Sequence, residues 1–123
     1  EKVRYWKTIP IMVVEEYAPQ SLTGTFLRNN KSAVSLYSIL TKKKGVVLKE
    51  VTQTIESSTA DQRIASLLRI EMGSPLFYME RTFFEESGLP FLFQITFTHA
   101  EHLKFSVHLG WEKREKEMRW VIY

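Results

Sequence analysis

Hydrophobic positions in this chain recur mostly at every second residue. Residues 2–6 and 9–17 read as a strand pair, the second rich in Ile, Met and Val and closed by Pro19. Residues 46–57 are β-branched and extended. Strands at 75–86 and 90–99 follow the break Gly73-Ser74-Pro75 and flank Ser87-Gly88-Leu89, a hairpin-length link. In the later strand Phe91, Phe93, Ile95 and Phe97 alternate with Leu92, Gln94, Thr96 and Thr98, as a half-buried antiparallel strand does. A last short strand is expected at 104–109.

Two stretches change to a helical period. Ala33, Leu36, Tyr37 and Leu40 form one apolar stripe, which predicts a helix over 32–41 with Ser32 as N-cap and Gly45 as terminator. A second helix is expected over 60–69, with Thr59 and Gln62 as a capping box and Ala60, Ile64, Leu67 and Leu68 buried. Residues 20–31, with Gly24 and Asn29-Asn30, are turn-rich. Trp111–Tyr123 alternates charges and reads as a solvated helix or extension docked by Trp111, Trp120 and Val121. Strands outnumber helices and the links are short, so the pattern predicts an α+β fold, an antiparallel sheet with helices packed on it.

Within the strand from Phe77 to Phe83, Arg81 falls in step with Phe77, Met79 and Phe83 and so shares their face. A guanidinium is costly to bury unpaired. Arg81 is therefore expected either to pair with a buried acid such as Glu56 or to face a polar cavity.

Composition narrows the chemistry. The 123 residues, 44% hydrophobic, suit one domain with a core. The absence of cysteine excludes disulfides, thiolate catalysis and a Cys-based zinc site. No apolar run approaches the ~20 residues of a membrane helix, so no membrane partner is expected. Net charge is +3, with acids and bases interleaved rather than clustered. Lys42-Lys43-Lys44 reads as cations at a helix C-terminus, or else as a phosphate-backbone contact.

The carboxylate pairs Glu15-Glu16 and Glu85-Glu86 are neighbours on strands, face opposite ways, and read as edge or hairpin-tip residues. His99 and His102 lack a third ligand at helical spacing, and His108 stands alone, so no metal is expected. No phosphate loop or nucleophile motif occurs. Anion binding fares better. Lys2 and Arg4 project from one strand face, and Ser35 lies in the first turn of the expected helix, where unpaired N–H groups favour an anion. A solvated terminal strand and a helix-filling serine are the plain alternatives.

Five segments in order then resemble a known family: Ser35-Leu36-Tyr37; Gln53 through Ala65-Ser66-Leu67-Leu68; Gly73-Ser74-Pro75-Leu76; Glu80-Arg81-Thr82; and Gly88-Leu89-Pro90. They look like the UTRA domain, the effector-binding half of GntR-type transcription regulators of the HutC subfamily, over roughly residues 2–109. The resemblance implies a chorismate-lyase-like fold, a small-molecule effector (often a phosphosugar), a homodimer, a cytoplasmic repressor, and operator DNA bound through an N-terminal winged helix-turn-helix. The chain opens at Glu1 directly into strand-like sequence, so that domain is expected upstream of it.

The resemblance also implies residues. Lys2-Val3-Arg4 matches the family's phosphate-holding Arg-Leu-Arg, and Ser35 and Tyr37 match its anion-contacting Ser-Leu-Tyr, although Tyr37 also sits on the apolar stripe. The sugar-facing positions depart: Val14 and Leu92 stand where glutamates are usual, Gln94 for a serine, Phe97 for a tyrosine and His99 for an arginine. Sugar hydroxyls left unpaired there would cost about 1–3 kcal/mol each. The expected effector is thus an anion with a less polar body, or a reoriented sugar phosphate using Glu15 and Gln94. Lys2, Arg4, Glu15, Ser35, Tyr37, Arg81, Leu92, Gln94 and Phe97 are the expected contacts, with no catalytic residue and no cofactor. By parity Leu92 and Phe97 share a pocket only across a bulge. Two other readings stay open: a chorismate-lyase-type enzyme with Glu101 as its acid, and an RNA-binding module stacking bases on Phe91, Phe93 and Phe97.

Overall fold

The computed structural model describes residues 1–23, 35–114 and 117–122, with backbone alone for residues 112, 114 and 117–122. Strands Lys2–Trp6 (β1), Ile9–Tyr17 (β2), Leu48–Thr59 (β3), Pro75–Glu85 (β4) and Pro90–His99 (β5) form one antiparallel sheet in the order β1-β2-β5-β4-β3. Among the described residues, three short α-helical segments accompany it: Gln20–Thr23 (α1), Leu36–Ser38 (α2) and Gln62–Leu68 (α3). The second continues as a π-helical turn through Ile39–Lys43. The expected α+β architecture is the one observed.

Directly paired residues share a sheet face, so the register sorts the side chains. On one face, Val13 pairs with Phe97, and Phe97 with Tyr78. There α3 packs Ile64, Ala65 and Leu68 against Val13 and Leu76, with Phe97 alongside. On the other face, Phe83 and Leu92 pair and cluster with Leu36, Leu40 and Phe91. Burying each such large apolar side chain contributes about 1.5–3 kcal/mol. A register shift between Phe83 and Phe84 lies beside Phe91, which stacks on Phe83 at 6.1 Å instead of joining Phe93 and Phe97. Strict alternation along β5 thus fails at its first residue pair.

Several local expectations shift. The expected helix 32–41 starts at Leu36 in the described residues, with Ser35 as its N-cap; the proposed cap Ser32 and Ala33 lie outside them, as do Gly24, Asn29 and Asn30. Gly45 does terminate the element, at φ +69°. The capping box at Thr59 is replaced by Asp61, whose carboxylate accepts from the Ile64 N–H at 2.8 Å. Thr59 cannot cap because β3 runs through it to pair with Pro75. The hairpin at Ser87-Gly88-Leu89 forms as expected, with Gly88 at φ +87° and its N–H donating to the Glu85 carbonyl at 2.8 Å. Only glycine adopts that φ without strain.

The C-terminal segment is neither helix nor simple extension. The expected strand does not form over residues 104–108, and Leu109–Arg114 (β6) pairs antiparallel with Glu117–Ile122 (β7) in a separate two-stranded sheet. Trp111 stands opposite Trp120, and Gly110 opposite Val121. Aromatic and β-branched residues favour such pairing over a helix. Trp111 is 53% exposed, and the side chains of Trp120 and Val121 lie outside the described residues.

Candidate functional site

The site is built by register. Three successive cross-strand rows lie on the sheet face that carries Phe83 and Leu92. The first holds Arg4, Met12 and Thr98. The second holds Lys2, Val14, Thr96 and Met79, and the third Glu16, Gln94, Arg81 and Gln53. A cavity of about 240 Å3 is lined by Arg4, Met12, Val14, Gln53, Met79, Arg81, Gln94 and Thr96. That volume is below the range for drug-sized ligands, so the cavity suits a small metabolite.

Arg81 is exposed, not buried against an acid as one expectation had it; Glu56 stands opposite Tyr78 instead. Its Nε donates to Gln53 Oε1 at 2.8 Å and its Nη2 donates to the same oxygen. The partner is neutral, so the guanidinium charge is oriented but not cancelled. Arg4 makes no ion pair or hydrogen bond among the described residues. Gln94 donates through Nε2 to Glu16 at 2.9 Å, and Glu16 also lies 3.8 Å from the Lys2 ammonium. Glu16 is only 8% exposed, so the expectation of an edge carboxylate fails for it. Pairing with Gln94 turns it inward, and its two partners compensate the burial.

The remaining expected contacts separate. Leu92 and Tyr37 belong to the apolar cluster at the end of the same face, with Tyr37 stacked on Phe83 at 5.3 Å and Phe91 at 6.5 Å. Ser35 caps α2, accepting from the Ser38 N–H at 3.2 Å and donating to the Ser38 hydroxyl at 2.9 Å. Glu15 and Phe97 point to the opposite face. There Glu15 accepts from Arg63 at 2.8 Å and from the Tyr17 hydroxyl at 3.2 Å, which raises the Tyr17 pKa. Phe97 stacks on Tyr78 at 5.3 Å. The register between β4 and β5 is continuous from Leu92 to His99, so no bulge brings Leu92 and Phe97 together. A sugar reoriented onto Glu15 does not fit this arrangement.

Sequence reasoning missed Met12, Gln53, Met79 and Thr96 as lining residues. Parity alone would have proposed Met12 from Arg4's pairing across the first hairpin, and Met79 and Thr96 from Arg81 and Gln94. Gln53 has no such local signal.

The cavity lining contains no carboxylate, histidine, lysine or cysteine. Glu101 is exposed on the 3-10 turn Ala100–His102, outside the lining. Among the described residues no group of three or more His, Cys, Asp or Glu is placed to hold a metal, and no helix is long and apolar enough to cross a membrane. A second hollow of about 250 Å3, lined by Trp6, Ile9, Ile11 and His102, is apolar and lacks the guanidinium pair.

Comparisons with known proteins bear on the family and the fold. The sequence model of the UTRA domain matches residues 1–104. A GntR-family transcriptional regulator from Enterococcus faecalis superposes with a TM-score of 0.75 at 28% identity, covering 86% of this chain and 76% of that one. The C-terminal domain of a histidine utilization repressor from Pseudomonas syringae has a TM-score of 0.74 at 16% identity, covering 85% and 72%. The possible transcriptional regulator YydK from Bacillus subtilis has a TM-score of 0.78 at 23% identity, and the match covers 88% of this chain but 47% of that longer one. A search of curated protein sequences found no match.

Proposed function

The chain belongs to the UTRA domain family, and on that premise we propose that it is the effector-sensing part of a bacterial GntR-family transcription regulator of the HutC subfamily. The effector is a small anionic metabolite, phosphorylated or carboxylated, held in the cavity that Arg4, Arg81 and Gln94 line. One observation carries this reading: two guanidinium groups, neither paired with an acid among the described residues, line one small cavity on the sheet face. A bound anion would supply the missing counter-charge, and Arg can take it bidentately. Lys2 sits one row from Arg4, outside the lining, with its ammonium 3.8 Å from Glu16. Ser35 and Tyr37 act indirectly, by capping and packing the helical segment at the cavity's end.

In this reading the domain is a sensor rather than a catalyst, which its membership of the UTRA family supports. Its output is a population shift. The effector binds one arrangement of a cytoplasmic homodimer better and thereby changes the spacing of the attached N-terminal DNA readers, acting as a repressor's release signal. A differential affinity of ~1–3 kcal/mol is typical of such coupling.

The test is a thermal-shift screen of phosphorylated and carboxylated metabolites, with Arg4→Ala alongside. A ligand at 100-fold its Kd stabilises by ~2.7 kcal/mol, or roughly 10 °C for a domain of this size. A hit that vanishes in Arg4→Ala supports the reading. Silence to every anion, or hits indifferent to Arg4, refutes it.

A further inference from the structure

Resting on the reading of this cavity as the effector site, we infer that Arg81 and Gln53 form a second anion subsite, and that the effector is an acid at both ends. The two guanidiniums start from distant points of the sheet. Arg4 is on β1 and Arg81 on β4, three strands apart and two rows apart along the strands. At ordinary strand spacing and rise their backbones are separated by about 14 Å across the sheet and about 13 Å along it. The two cations therefore approach the cavity from opposite corners. One phosphate or carboxylate held by Arg4 leaves Arg81 to a different part of the ligand.

The hydrogen-bonding polarity at the Arg81 corner identifies that part. Gln53 Oε1 accepts from both Nε and Nη2 of Arg81, which occupies the only acceptor in the pair. What remains is the Arg81 Nη1 and the Gln53 amide nitrogen, which are donors only. Gln53 thus orients the guanidinium and adds a second donor beside it. Such a corner takes an acceptor-only group, and a carboxylate or phosphate fits it better than a hydroxyl. The floor between the corners is Val14, Thr96 and Met79, with Met12 beside Arg4. It matches a short, mostly apolar backbone. Gln94 donates its amide nitrogen to Glu16, so its carbonyl is the acceptor left for one ligand hydroxyl or amine. Glu16 has Lys2 nearby, so the two lining arginines leave about two positive charges to be met.

The experiment uses this chain and isothermal titration calorimetry. The probes are matched pairs that differ by one acidic group: 3-phosphoglycerate against glycerol 3-phosphate, and the dicarboxylates succinate, glutarate, adipate and pimelate against the monocarboxylates of equal length. In wild type, at least one doubly acidic probe is expected to bind ~10-fold or more tightly than its partner, a gain of about 1.4 kcal/mol. Arg81→Gln is expected to abolish that ratio while leaving the singly acidic probe within ~3-fold of wild type. Gln53→Leu is expected to reduce the ratio in part, and Arg4→Gln to weaken both members of a pair. Circular dichroism of each variant checks that it folds. If singly acidic probes bind in an Arg4-dependent way but no pair shows the ratio, or if Arg81→Gln leaves the ratio intact, the second subsite is overturned and the effector site stands. If no anion binds at millimolar concentration, both are overturned.

Discussion

Replacing Glu16 with alanine tests the buried polar link between the sheet and the site. The Glu16 side chain is 8% exposed, accepts from Gln94 at 2.9 Å and lies 3.8 Å from the Lys2 ammonium. A hydrogen bond to a charged acceptor contributes about 1.5–3 kcal/mol. The Lys2 contact is long, and that side chain is 37% exposed, so solvent screening leaves it only about 0.2–1 kcal/mol. Removing a buried carboxylate also relieves part of its desolvation cost. The net expectation for Glu16→Ala is a loss of about 2 kcal/mol. With a urea slope near 1.5 kcal/mol/M, the midpoint falls by roughly 1–1.5 M.

Glu16→Gln keeps an acceptor for Gln94 without the charge and is expected to cost under ~1 kcal/mol. A cycle combining Glu16→Ala with Gln94→Ala isolates the bond between them, with an expected coupling of at least ~1 kcal/mol. Because Glu16 fixes Gln94 beside the cavity, Glu16→Ala is also expected to weaken effector binding. Equal urea midpoints for wild type and Glu16→Ala, together with a coupling near zero, would refute the claim that this carboxylate is held inside by Gln94.

Three further outcomes follow from individual contacts. The Thr98 hydroxyl is buried without a partner among the described residues, so Thr98→Val is expected to be neutral or to stabilise by up to ~2 kcal/mol in urea denaturation; a loss above ~0.5 kcal/mol would show that the hydroxyl is paired. Asp61→Ala removes the α3 cap and is expected to cost ~1 kcal/mol, with Asp61→Ser restoring most of it; equal stability of all three proteins would contradict the cap. The Tyr78 hydroxyl donates to Glu80 at 2.6 Å, and that bond, with burial, pushes its pKa up to about 12. Since the folded state holds this proton more tightly than the unfolded chain, the contribution is complete below pH ~10 and is lost as pH rises toward 12. Ultraviolet titration should show a tyrosine titrating near 12 that moves earlier in Glu80→Gln.

The parts legible in the sequence were those set by neighbours along the chain. Alternation placed Arg81 on the face of Met79 and Phe83, and the structure keeps it there. The hairpin at Gly88 and the terminator at Gly45 were legible because a positive φ selects glycine. What failed depended on partners far away. Glu15 and Glu16 look alike in sequence, and parity says only that they diverge. Which one is buried is decided by Gln94, 78 residues on, and by Arg63 on the other face. Of the two readings of Arg81, pairing with a buried acid gives way to facing a polar cavity, where a glutamine orients it at an exposed position. That glutamine reaches it through the register of β3 on β4. A slip of one residue would set Thr52 or Thr54 opposite Arg81 and turn Gln53 to the far face. Neither threonine has a carboxamide to accept from Nε and Nη2 while presenting N–H donors beside them. The specificity of this corner is therefore a property of strand pairing, and no local sequence motif encodes it.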